Sequence, residues 1–242
     1  MPMAMAETLY PKLPYNLARD TAPIVQVSFG YNILVAHPSV PATSVAALVA
    51  HLKSNPGKLN YASGGIGAPA HISAELFRQV TQTDMVHVPV KSAPFAVQDL
   101  LAGRVEVMFG LAPGVLPHVR AGKLRALAVV GRERLAALPD VPSMAELGYP
   151  NVEARDWMGL IAPVRPPAAI IDRLNREVNA ILCDPDVRER FAAGSTTIAG
   201  GTSEAFARLI AEDVGRWAGV IRAASIRLVY TVMAKNSRGD IG

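Results

Sequence analysis

The sequence predicts an α/β protein with a mainly parallel sheet. Two observations carry this. Between Ser39 and Val130, short strand-like runs alternate with segments whose apolar residues recur at helical spacing. The strand-like runs recur every roughly 20 to 25 residues, which leaves room for one crossover helix each time. Half of the 242 residues are hydrophobic and 18% are charged, enough apolar material for a sizeable core.

The elements follow in order. Pro41-Ala42-Thr43-Ser44 offers an N-cap to a helix carrying Val45, Leu48, Val49 and Leu52, which Asn55-Pro56-Gly57 stops. Leu59 to Ala62 is a short strand, followed by the glycine-rich run Ser63-Gly64-Gly65-Ile66-Gly67. Pro69 suits a first helical turn, and Ile72, Leu76, Phe77 and Val80 form that helix's stripe. Met85 to Val90 is strand-like. Pro94 opens a helix that Gly103 closes, and Arg104 to Phe109 alternates as a strand. Pro113 starts the next helix, Gly122 ends it, and Leu124 to Val130 completes the set. Crossovers between parallel strands are right-handed almost without exception.

The rest of the chain reads differently. Gly131 to Pro150 holds three prolines and little periodicity, as expected of a connector. Trp157 to Ala162 is a candidate returning strand. Ile171, Leu174, Val178, Ile181 and Leu182 form one helix face, and Phe206, Leu209, Ile210, Val214, Trp217 and Ile221 form another, capped by Thr202 or Ser203. Asp184-Pro185-Asp186 starts a short helix between them. Ile24 to Ala36 is the remaining strand material. A second, thinner domain therefore draws on both chain ends, residues 1–36 and 155–242, around a central domain of residues 37–154. The residues after Ala234 lack a pattern and are expected to fray.

Composition limits the function. The net charge of +4 is scattered and aromatics make up only 6% of residues, so no basic, aromatic-laced stripe marks a nucleic-acid site. Cys183, alone of its type, excludes an internal disulfide and is expected to be buried and inert. No apolar run reaches the length of about 18 residues that a membrane span needs. Met1 to Glu7 does not read as a secretory signal. The five histidines show no paired helical spacing, so no metal is expected, nor any other cofactor.

Ser63 to Gly67 is the candidate site. It lies between a strand and a helix, where ligands of open parallel sheets bind. Glycines let backbone approach a ligand, and a helix N-terminus favours negative charge. The set suits a carboxylate or phosphate, with Ser63 adding a hydroxyl. Gly67-Ala68-Pro69 lacks the Lys of a Walker loop. Gly65-x-Gly67-x-x-Ala70 matches part of a dinucleotide fingerprint, but the next strand ends at Val90-Lys91-Ser92 without an acidic residue for the ribose. Tyr61 stands where a serine-hydrolase elbow needs glycine. The glycines could also simply make a tight turn. Lys91 and Ser92 share the sheet edge with the loop and could close on an anion. His71 is expected to bond backbone or a neighbouring loop. Asp99 and Glu106 are expected on solvated faces.

Several of these segments together resemble the substrate-binding receptors of tripartite tricarboxylate transporters, the Bug family. The resemblance runs from about Leu9 to Leu228. It rests on Leu9-Tyr10-Pro11-Lys12-Leu13-Pro14-Tyr15, on Asn55 to His71, on Val86-His87-Val88-Pro89 and on Asp99 to Gly103. It continues in Gly122 to Val129 and Leu138 to Ser143. It implies a type II periplasmic-binding-protein fold of two Rossmann-like lobes, with a small carboxylate held in the cleft by one backbone loop from each lobe. Ser63, Gly64, Gly65, Ile66 and Gly67 would form the second lobe's loop. It also implies a periplasmic location, membrane transporter subunits as partners, and no catalysis. Three departures stand out. The family's first βα segment and leader are not seen ahead of Leu9, so the first lobe is expected to be incomplete and open to self-association. Val90-Lys91-Ser92 replaces Tyr-Lys-Gly. Gly110 stands where the family often has Asp or Asn near the ligand. A cytoplasmic ligand-sensing module and a non-binding remnant remain alternatives.

Overall fold

The computed structural model describes residues 2–10, 12–163 and 166–226. The C-terminal segment from Val229 lies outside them. Among the described residues, seven strands form one continuous sheet system: β1 (Thr21–Ala36), β2 (Asn60–Ser63), β3 (Val86–Pro89), β4 (Val107–Leu111), β5 (Arg125–Val129), β6 (Arg155–Pro163) and β7 (Thr197–Ile198). The helices are α1 (Pro2–Leu9), α2 (Leu17–Asp20), α3 (Val45–Ser54), α4 (Pro69–Thr81), α5 (Ala93–Leu101), α6 (Ala112–Arg120), α7 (Ala168–Leu182), α8 (Pro185–Ala193) and α9 (Ser203–Ala223).

The central part of the sheet runs β3-β2-β4-β1-β5. β2 is parallel to β3 and β4, whereas β1 is antiparallel to both β4 and β5. The sheet is thus mixed, with β1 the strand inserted against the common direction. Its 16 residues serve two sets of partners. Thr21 to Tyr31 pair with β6, and Ser28 and Phe29 also meet β7. Asn32 to Ala36 pair with β4, and Ile33 to Ala36 with β5. β1 therefore crosses from one end of the molecule to the other, with register shifts at Pro23/Val25, Gln26/Ser28 and Leu34/Val35 that re-aim it along the way.

Strand alternation sorts the core into two layers. Leu34 and Ala36 face α3 and α4, joined there by α1 and α9 through Met5, Leu9, Trp217 and Ile221. Ile33 and Val35 face the other way, onto α5 and α6. Each large apolar side chain buried in these layers is worth about 1.5–3 kcal/mol. The caps expected from sequence are present: Ser44 accepts from the Ala47 amide, Asp184 from Asp186 and Val187, and Thr202 from Ala205.

α1 and α2 precede β1; the strong helix formers Ala, Met, Glu and Leu behind Pro2 explain α1. Three expectations are corrected. The fourth strand starts at Val107, three residues later than its alternation suggests. Glu106 is not solvated, because its carboxylate accepts from the Asn60 amide (2.6 Å) and side chain (3.1 Å) and ties the entry of β4 to β2. Cys183 is exposed, since it caps the C-terminus of a helix whose apolar stripe is largely uncovered. On α7 only Leu182 is buried, while Ile170 and Ile181 are 50% and 58% exposed. No described helix is long and apolar enough to cross a membrane.

Candidate ligand-binding site

The carboxyl ends of β2, β3 and β4 bring Ser63 to Gly67, Lys91 with Ser92, and Gly110 to one edge of the sheet. Because β1 runs the other way, Gly30 to Asn32 arrive at the same edge, with Gly30 opposite Asp156 of β6. A Cβ on Gly30 would sit 3.3 Å from the Leu111 side chain, so the ends of β1 and β4 touch there.

Each loop glycine has its own physical reason. A Cβ at Gly64 would lie 2.8 Å from the Ala93 amide nitrogen, so only glycine lets the loop rest on the start of α5. Gly65 (φ 130°) and Gly67 (φ 76°) take backbone conformations that other residues adopt at a cost. At Gly67 a Cβ would also meet Leu9, which packs behind the loop.

The loop's amides are not equally available. The Gly67 amide donates to Nδ1 of His71 (2.9 Å), and the Gly65 amide donates to the Ser63 hydroxyl (3.2 Å). The amides of Gly64 and Ile66 make no hydrogen bond to the described residues. Ile66 is the exposed residue of the loop. These two N–H groups, beside the N-terminus of the 13-residue α4, form the electropositive part of the loop.

Ser63 turns inward. It is fully buried, its hydroxyl donates to the Gly65 carbonyl (2.9 Å), and it accepts from Nε2 of His87 (2.6 Å). This bracing bond replaces the expected contribution of a ligand-facing hydroxyl. It also leaves no free nucleophile, despite the short Ser–His distance. Behind it, His71 and His87 stack at 3.8 Å, and Tyr61 stacks on His87 at 4.8 Å. The Tyr61 hydroxyl donates to Glu75, which also pairs with Arg78. Burial pulls the pKa of both histidines down to about 4, with Arg78 adding to the effect on His71 and His71 adding to that on His87. Both rings are neutral, and Nδ1 of His71 acts as the acceptor that fixes Gly67. The expectation that His71 bonds the backbone holds.

The remaining predicted residues divide. Ser92 is the residue before α5 and makes no capping bond with its side chain. Lys91 is exposed and lines an open depression with Phe95 and Asp99, apart from the glycine loop. Gly110 is buried within β4, where a Cβ would come within 2.4 Å of Val115. Packing of α6 on the sheet is thus sufficient reason for glycine at that position.

Sequence reasoning missed the wall contributed by β1 and β6. Tyr31 packs on Gly131, and Arg155 lies over the Phe29 ring at 5.4 Å. Glu153 pairs with Arg132 at 2.8 Å, and burial raises the pKa of Asp156. No short motif announces these residues; Phe29, Tyr31, Arg155 and Asp156 come together because β1 and β6 pair.

The sequence matches the tripartite tricarboxylate transporter family receptor, TctC, over residues 1–226. It is 37% identical to protein BugT of Bordetella pertussis over 227 residues, covering 94% of this chain and 70% of BugT. Among solved structures, Rpa4515 of R. palustris with adipate superposes with a TM-score of 0.85 at 30% identity, covering 94% of this chain and 76% of that one. MatC of Rhodopseudomonas palustris, with bound malate, does so with a TM-score of 0.81 at 28% identity, covering 90% and 76%.

Proposed function

This chain belongs to the tripartite tricarboxylate transporter receptor family, and from that premise we propose that it is a periplasmic solute-binding receptor for a small carboxylate. The observation that carries the reading is the pair of amides, Gly64 and Ile66, that make no hydrogen bond to the described residues at the mouth of β2. A carboxylate there would replace water on two N–H donors and gain from the dipole of α4. Adipate and malate, bound by the two solved relatives, are of this chemical class.

In this reading residues 37–154 form one lobe of a type II binding protein. Residues up to 36 and the described residues from 155 onward contribute to the other. β1 and β6 connect the two, so that closure on the ligand bends them. Membrane subunits of a tripartite transporter would receive the closed form. No step of this reading involves catalysis; the family is one of receptors. A second reading, self-association through α7 and β6, is favoured by the exposed apolar residues of these elements.

A thermal-shift screen against small mono- and dicarboxylates tests the proposal. A ligand at 100 times its Kd stabilises by about 2.7 kcal/mol, a rise of about 5–11 °C for a chain of this size. A folded sample whose melting temperature is unmoved by every carboxylate would contradict it.

A further inference from the structure

Between α5 and α6, over the end of β4, lies a groove of about 470 Å³. That is within the range of small-molecule pockets, roughly 300–1,000 Å³. Ala93, Gly110 and Leu111 form its near end, and Leu101 and His118 its far end. Ala93 is also the residue on which Gly64 rests, so the groove begins where the glycine loop touches α5. Its walls are Val97 and Val115, and Met108 is in the floor. Among the described residues, Gln98 and His118 are the polar side chains that line it, and no lysine or arginine does.

From these observations we infer that the groove takes the apolar body of a monocarboxylate whose carboxylate group sits on the Gly64 and Ile66 amides. The inference rests on the carboxylate reading above and sharpens it to a ligand class. The ligand is an aliphatic or aromatic monocarboxylate, not a compact polycarboxylate. A second carboxylate carried into the groove would lose its hydration and meet no lysine or arginine among the described residues, which is costly. A methylene chain there loses only contact with water. Gly110 supports the same conclusion, because any side chain at that position would displace Val115 and disturb the groove's floor and wall.

Calorimetric titration with acetate, butyrate, hexanoate, benzoate and adipate tests this. Affinity should rise about fourfold for each methylene buried, and hexanoate should bind more tightly than adipate. Gly114 lines the groove, and a Cβ there meets nothing within 4 Å, so Gly114→Leu can fill the space without a clash at its first atom. That variant should lose the dependence on chain length. Gln98→Glu, at an exposed helix position, provides a second probe, since its charge should weaken hexanoate binding. Acetate binding with no gain along the series, or adipate binding better than hexanoate, would overturn the groove assignment and leave the carboxylate site standing. Retention of the chain-length dependence in folded Gly114→Leu would overturn it as well. If no carboxylate of any length binds, the receptor reading fails and takes this inference with it.

Discussion

His71 and His87 stack face to face, 3.8 Å between ring centroids and 12° from parallel, and each holds one end of the glycine loop. His71 anchors Gly67 and His87 anchors Ser63. The stack lies among Tyr61, Glu75 and Arg78, where Glu75 is engaged by both Tyr61 and Arg78. Neither ring can take a second proton without setting a cation beside the other ring and Arg78.

This has a consequence for stability. Both histidines titrate near 4 in the folded protein, against 6.5 in the unfolded chain. Between these values the unfolded state binds more protons, so stability rises with pH there. The contribution is complete above about pH 6.5 and is lost as pH falls through 4. Thermal melts at pH 7.5 and 4.5 should show a lower melting temperature in acid. His87→Asn, which cannot titrate in this range, should flatten the difference. An equal slope in the variant would remove the stack from the explanation.

Gly64→Ala tests the loop more directly. The added methyl would lie 2.8 Å from the Ala93 amide nitrogen and 3.1 Å from the Ser92 carbonyl carbon, both of them backbone atoms that cannot rotate away. The loop must lift from α5, which moves the Gly64 and Ile66 amides relative to each other. Carboxylate affinity should fall by at least about tenfold, or 1.4 kcal/mol, with far-ultraviolet circular dichroism unchanged. Wild-type affinity in Gly64→Ala would show that this contact does not set the loop's binding geometry.

Strands β2 to β5 and the glycine loop were legible because their signals are local. A strand, a turn forced by positive φ, and a helix opened by Pro69 all lie within about 20 residues of one another. The insertion of β1 was not legible in the same way. Ile33 to Ala36 read as a buried strand, but nothing local states that they pair with Val107 to Gly110, more than 70 positions away. The Ser63 hydroxyl was expected to face the ligand because its neighbour in space, His87, is 24 residues distant. Likewise, a helical stripe such as that of α7 reports that an apolar face exists, not that it is covered.

Phe206 is the best single probe of the α9 and β6 layer. Its ring meets Trp157 edge to face at 5.3 Å and occupies the space where a Cβ on Gly159 would fall. It is 2% exposed. Phe206→Ala removes this contact and leaves a cavity, a loss of about 3–5 kcal/mol. The melting temperature should drop by about 6–20 °C. A drop of a degree or less would mean that α9 does not depend on this packing in solution.

Self-association should follow from the exposed stripe of α7. Ile170, Leu174 and Ile181 are 50%, 40% and 58% exposed, and Met158 of β6 is 61% exposed. Apolar residues gathered on one helix face differ from singly scattered ones, because covering them removes contiguous apolar area from water. A second copy can present the same stripe, which suits a two-fold contact. Sedimentation velocity over a concentration series should show reversible growth beyond the 25.7 kDa of one chain. Ile170→Lys combined with Ile181→Lys places two charges in the stripe. Both positions are already exposed, so the fold should tolerate the change within about 0.5 kcal/mol per site. The double variant should sediment as a single chain at concentrations where the wild type associates. Identical sedimentation of the two proteins would show that α7 is not the contact, and a wild type that stays single at every concentration would refute the association itself.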